Sequence, residues 1–164
     1  MRYRRLIIPG GCYFFTINLL DRQSTLLTTE FQKLKYAFQK VKHHHPFSIN
    51  AIVILPDHLH MLMTLPNNDG NFSRRITLIK SYFSHTIEKN ETVTNSRQKK
   101  RERGLWQRRF WEHCIRNDDD FENHVNYIHY NPVKHQYVPK PIEWKYSSIH
   151  HHIQQGLLTP DWSS

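Results

Sequence analysis

"FSINAIVILPDHLHMLMTL", residues 47 to 65, is two apolar segments interrupted only at Pro56-Asp57. Residues 47 to 55 are rich in β-branched side chains and have the length of a strand. The short polar break fits a tight connection to a second strand, so the pair is predicted to be an antiparallel hairpin. Along a strand, side chains two apart share a face. His58 and His60 therefore stand side by side on a rigid element, and the rest of the chain must fold around that hairpin.

The flanking segments supply the other elements. "CYFFTINLL", residues 12 to 20, reads as a strand, and Phe31, Leu34, Phe38 and Val41 give residues 30 to 43 a helical stripe. Thr29 with Gln32 offers that helix a capping box. Ser73 is a candidate cap for a second helix, whose stripe is Ile76, Ile79, Phe83 and Ile87. Residues 105 to 116 read as a fourth strand. Asp118, Asp119 and Asp120 suit the positive end of a third helix. That helix is predicted to stop near Tyr130, because Pro132 disfavours helical backbone in the residue before it.

The order strand, helix, strand, strand, helix, strand, helix is that of an α+β, ferredoxin-like split βαβ sandwich. It implies a four-stranded antiparallel sheet with helices on one face and an extra C-terminal helix. One domain is expected over 1–164, with a basic loop at 89–104 and a tail at 140–164 that packs back through Trp144, Tyr146 and Trp162.

Charge narrows the partner. Lys and Arg total 23 against 14 Asp and Glu, a net charge of +9 with histidine neutral. Such an excess fits a polyanion, most commonly nucleic acid, or simply a basic soluble protein. No segment approaches the ~20 apolar residues of a membrane span. Cys12 and Cys114, the two cysteines, make no disulfide framework, and the basic-then-apolar start is broken by Pro9-Gly10-Gly11, so a cytoplasmic protein is expected.

The third helix, "DDDFENHVNYIHYNPVKH", carries the chemistry. On a helical wheel Phe121, Val125 and Ile128 form the core face. His124, Tyr127 and Asn131 line one ridge beside it, and Tyr130 points away from the core. His58 and His60 can give two nitrogens to one divalent cation, and Asn131 an oxygen; such a donor set suits Mg or Mn. Tyr127, one turn before Asn131, is a candidate nucleophile. Each part has a plainer reading: a metal-free strand pair, a core or surface tyrosine, an asparagine that terminates a helix, and a hydrogen-bonded His124. The histidine runs 43–45 and 150–152 read as solvated helix ends or loops, and 97–103 as a solvated basic loop. The conjunction favours the functional reading.

These residues resemble a known family. "LPDHLHML", followed by "RRFWEHCIRNDDDFENHVNYIHYNPVKHQYV", is similar to the REP-associated tyrosine transposases, single-tyrosine HUH endonucleases related to the small transposases of single-stranded insertion sequences. The resemblance spans roughly residues 5 to 150. It implies DNA strand cleavage, with His58 and His60 as metal ligands, Asn131 completing the site where relatives often have Gln, and Tyr127 as nucleophile. His124 is a possible supporting residue. Gln136 departs from the glycine common in relatives. The implied substrate is single-stranded DNA bearing REP palindromes that fold into hairpins. Relatives act as homodimers, and a compact member as a monomer. Arg74, Arg75, Lys80, Arg108 and Arg109 are expected to position the DNA backbone, and Trp111, Phe110 or Trp144 to stack on bases, although core packing also explains Phe110. Two other classes remain open: a nucleic-acid-binding module that does not cut, and a metal nuclease that uses water and dispenses with Tyr127.

Overall fold

The computed structural model describes residues 4–163; Met1 to Tyr3 and Ser164, the two ends of the expected domain, lie outside the described residues. The strands are β1 (Cys12–Asn18), β2 (Ser48–Ile54), β3 (His58–Thr64) and β4 (Trp111–Cys114). The helices are α1 (Leu26–Thr29), α2 (Phe31–His44), α3 (Phe72–Thr86), α4 (Asn95–Lys99), α5 (Asp118–Lys134) and α6 (Ile149–Gln154), with a 3-10 turn at Pro141–Glu143.

The sheet order is β2-β3-β1-β4, and every neighbouring pair is antiparallel. This is the expected split βαβ topology, with β3 inserted between β1 and β2. The hairpin forms as read: Ile54 pairs with Leu59, and the Leu55 N–H donates to the His58 carbonyl at 2.8 Å.

Strand parity divides the core in two. Tyr13, Phe15, Ile17, Leu59, Met61 and Met63 face α2 and α3. Phe14, Ala51, Val53 and Leu62 face the other way and meet Val125 and Ile128 of α5. The molecule is thus three layers, with α2 and α3 on one side of the sheet and α5 on the other. Each large aliphatic side chain so buried contributes about 1.5–3 kcal/mol. Because α5 covers the second face, polar side chains of that parity are enclosed, and enclosed polar groups require partners. His58 and His60 belong to this set.

Several boundaries differ from the sequence expectation. Thr29 does not cap α2, because residues 26–29 are themselves helical; its hydroxyl donates back to the Thr25 carbonyl. The cap of α3 is Asn71 rather than Ser73, its side chain accepting from the Arg74 N–H at 3.0 Å. The fourth strand shrinks from 105–116 to Trp111–Cys114. Thr16 pairs with Trp111, yet Leu19 bridges to Trp106, so residues 107–110 lie opposite only 17–18 and bow out of the ladder. Trp106 anchors the far end by packing on Phe83 and donating from Nε1 to the Ser84 hydroxyl.

Helix α5 also runs past Pro132 to Lys134 instead of stopping near Tyr130. Proline costs the helix one hydrogen bond, but a strong C-terminal cap holds the final turn. The Gln136 N–H donates to the Val133 carbonyl and the Tyr137 N–H to that of Pro132, with Gln136 at φ +60°. That is a Schellman arrangement with glutamine in the position that favours glycine.

Residues 89–104 contain α4 and a set of ion pairs. Arg103 pairs with Glu91 at 2.6 Å, and Arg97 and Arg108 share Glu102. Arg103 also donates to the carbonyls of Ser84 and Ile87. The tail packs along β2: Trp144 Nε1 donates to the Ile54 carbonyl at 2.9 Å, and Ser148 exchanges two bonds with Ile52.

Candidate functional site

His58 and His60 lie on β3 with their rings edge to face, centroids 4.9 Å apart, and each residue is only 4 % exposed. Both rings are held through Nδ1. His58 Nδ1 donates to the Asp57 carboxylate at 2.7 Å, and Arg22 Nε grips the other oxygen of that carboxylate at 2.7 Å. His60 Nδ1 meets the Thr16 hydroxyl at 2.8 Å. Thr16 lies directly across the ladder from His60, so the register itself supplies this partner. With Nδ1 engaged, Nε2 of each ring is the atom available to a ligand.

The electrostatics match. Burial favours neutral imidazole and pushes His60 down to about 3, with the nearby His58, His135, Lys134 and Arg22 adding to the effect. Burial also lowers His58, while the Asp57 carboxylate opposes it. Burial alone would raise Asp57, but hydrogen bonds from His58 and Arg22 hold its carboxyl below the ordinary range. An ionised Asp57 beside neutral imidazoles is the protonation state that metal ligation requires.

Helix α5 brings its ridge to the same face. Tyr127 packs edge-on against His60 at 5.3 Å between centroids, and Phe14 touches His60, His124 and Tyr127. Tyr127 remains 37 % exposed. Among the described residues, no ring contact joins Tyr130 to either histidine, although Tyr130 is also exposed. Asn131 is 1 % exposed, and neither its Oδ1 nor its Nδ2 has a hydrogen-bond partner. An unpartnered buried amide costs about 1–3 kcal/mol. Two imidazoles and an amide oxygen, the last one turn beyond the tyrosine that packs on His60, form a donor set whose chemistry fits a divalent ion.

His124 stands apart from the two strand histidines. Its Nδ1 meets the Asp120 carbonyl at 2.7 Å, and its ring stacks on His113. Sequence reading missed His135, whose ring lies 5.3 Å from His58, and Lys134, whose Nζ sits 4.9 Å from the Tyr127 ring centre. Both follow Asn131 at helical spacing, a signal visible only if the helix continues past Pro132. Sequence reading took Asp57 only as part of the hairpin connection and missed its contact with His58; its place next to the histidine pair was the available signal.

The expected backbone-binding residues separate into two groups. Arg74 and Arg109 are exposed, and Arg108 is exposed while paired with Glu102. Arg75 is not available for DNA: it is 2 % exposed, with its guanidinium spent on Asp69 and on the carbonyls of Pro46 and Asn71. Lys80 also turns inward, donating to the Gln107 carbonyl at 2.8 Å, and burial lowers it to about 8. Phe110 packs on Phe15 and Phe72 in the core, and Trp144 is tied to β2. Trp111 is 59 % exposed and pairs with Thr16, on the same face of the sheet as His60. Among the described residues, no helix is long and apolar enough to cross a membrane.

Comparison with known proteins identifies the family. Residues 11–131 match the family model described as "Transposase IS200 like". A candidate REP-associated tyrosine transposase of Haemophilus influenzae is 47% identical over 161 residues, covering 98% of this chain and 92% of the relative. The REP-associated tyrosine transposase of Escherichia coli K12 is 45% identical, covering 98% and 90%. A solved structure of a REP-associated tyrosine transposase bound to a REP hairpin superposes with a TM-score of 0.89 at 44% identity, covering 100% of this chain and 92% of that one. With the family model, these relatives and the fold in agreement, the chain belongs to the IS200-like transposases, in the branch of the REP-associated tyrosine transposases.

Proposed function

We propose that this chain cleaves and rejoins single-stranded DNA carrying REP-type hairpins, with Tyr127 as nucleophile and a divalent ion, Mg2+ or Mn2+, held by His58, His60 and Asn131. The observation that supports this reading is the Asn131 amide, buried without a hydrogen-bond partner one helical turn beyond Tyr127, whose ring packs on His60. When bound, the ion supplies positive charge that polarises the scissile phosphate.

The residues of the chain do the rest. Asp57, Arg22 and Thr16 lock the two imidazoles in orientation, which fixes the donor geometry before DNA arrives. The ring contact of Tyr127 with His60 and its partial exposure support its role as the attacking phenol. Its oxygen forms a bond to phosphorus as the bond from phosphorus to the 3′ oxygen breaks. The phenolic proton is released to solvent as the oxygen attacks, the departing 3′ oxygen takes up a proton from solvent, and a 5′-phosphotyrosine and a free 3′-OH result. Lys134 offers a positive charge near the reacting centre. An incoming 3′-OH reverses the step, so the phosphodiester energy is conserved. Exposed Trp111 offers a stacking surface for an unpaired base on the same side of the sheet.

The test is to incubate the protein with hairpin-bearing single strands and Mg2+ or Mn2+, then denature. A covalent protein–DNA adduct that is abolished by chelator and by the His58→Ala, His60→Ala double variant is expected. Hairpin binding with no adduct in any metal would leave a binding module that does not cut.

A further inference from the structure

A second donor set lies on the α5 face of the sheet, separate from the strand histidines. His113 on β4 pairs with Phe14, and strand parity puts both side chains toward α5. There His113 Nε2 reaches the Asp120 carboxylate at 2.8 and 3.1 Å. From the other side His124 Nδ1 approaches the same carboxylate at 3.2 Å. The two imidazole rings stack 4.9 Å apart, nearly parallel at 17°. One ligand atom from each of the three residues lies within 4.8 Å of the others. The Phe14 ring separates this cluster from His60.

We propose that His113, Asp120 and His124 form a second cation site that takes a borderline transition-metal ion, Zn2+ by its donor chemistry. Two imidazole nitrogens and one carboxylate oxygen form a set that zinc accepts with a fourth position left to water. The donors differ from the site that includes an amide oxygen, which suits a harder ion. Side-chain exposures of 25 %, 14 % and 23 % leave the cluster reachable, so an ion can enter and keep a water. The Asp120 carboxylate is also held by the Arg116 N–H at 2.9 Å, with the exposed Arg116 Nε 3.7 Å away, partners that orient the ligand. His124 Nδ1 must exchange its bond to the Asp120 carbonyl for the ion. An ion here would cross-link β4 to the first two turns of α5, the helix that carries Tyr127. The site needs neither Tyr127 nor His58 and His60.

The test uses Co2+ as a spectroscopic stand-in for zinc, in the full-length His58→Ala, His60→Ala variant so that the strand donors cannot contribute. Titration should produce the visible d–d bands of a low-symmetry, four- or five-coordinate Co2+ site, saturating at about one ion per chain. One equivalent of Zn2+ should bleach them. Asp120→Asn and His113→Gln, each added singly and checked for folding by circular dichroism, should each lower the band at least tenfold at limiting Co2+. Bands that survive both substitutions would place the ion on the histidine runs 43–45 or 150–152 and overturn the proposal. No bands at all in the folded parent variant would overturn it equally.

Discussion

His58 Nδ1 and the Asp57 carboxylate are 2.7 Å apart, and the same carboxylate is clamped by Arg22. A charged acceptor fixes the tautomer of a ligating histidine and raises its basicity, and loss of such a partner typically weakens metal binding about 10–100-fold. Asp57→Ala should therefore raise the Mn2+ concentration needed for half-maximal cleavage by that order. Cleavage at saturating metal should largely recover. A metal dependence equal to wild type would show that Asp57 serves only the fold.

Asn131 should show a trade of stability against activity. Leucine has the same branching but no polar atoms, so Asn131→Leu removes two unpartnered buried groups. In metal-free buffer the variant should melt no lower than wild type, while metal-dependent cleavage disappears. A loss of several degrees in Tm would mean that the amide is satisfied in the folded protein.

Gln136 occupies left-handed backbone at φ +60° at the end of α5. Glycine adopts that conformation without a steric cost, so Gln136→Gly should stabilise the protein by about 0.5–1 kcal/mol, even after its greater freedom when unfolded is deducted. For a chain of this size that is a rise in Tm of roughly 2–4 °C per kcal/mol. Thermal melting at neutral pH is sufficient to check it, and an unchanged or lowered Tm counts against this helix end.

Acid should loosen the contact between α5 and the C-terminal segment. His129 is fully buried, its Nε2 bonded to the Ser148 hydroxyl at 2.9 Å. Burial, reinforced by His152 and His150, pushes it down to about 3. The unfolded chain, with histidine near 6.5, binds more protons than the fold between those values. Stability from this group is therefore full above about pH 6.5 and falls as the pH drops toward 3. His60 adds to the same slope in the metal-free protein. His129→Gln should flatten the fall of Tm between pH 6.5 and 4, and an unaltered slope would remove His129 from the acid response.

Much of the fold was legible because its signals are local. The Pro56-Asp57 break specified the hairpin, and period-two alternation put His58 and His60 on one face. The wheel placed Tyr127 and Asn131 on one ridge because that needs only helical geometry. What escaped was set by tertiary contacts. Nothing near Pro132 announces the cap formed by Gln136 and Tyr137, so the last turn of α5, with Lys134 and His135, was lost. Arg75 and Lys80 look like surface charges in sequence. Only the packing shows that backbone carbonyls from distant loops take up their donors. Thr16 became a partner of His60 through strand register, which a single strand cannot reveal.

The assignment of the nucleophile is tested most directly by mapping the covalent adduct. Tyr127 touches His60, whereas among the described residues no ring contact joins Tyr130, three residues on, to either histidine. The adduct formed on hairpin-bearing single strands should be digested and the DNA-linked peptide sequenced, in wild type and in Tyr127→Phe and Tyr130→Phe. The linkage should fall on Tyr127, vanish in Tyr127→Phe with hairpin binding retained, and persist in Tyr130→Phe. A linkage at Tyr130, or an adduct that survives Tyr127→Phe, would contradict it.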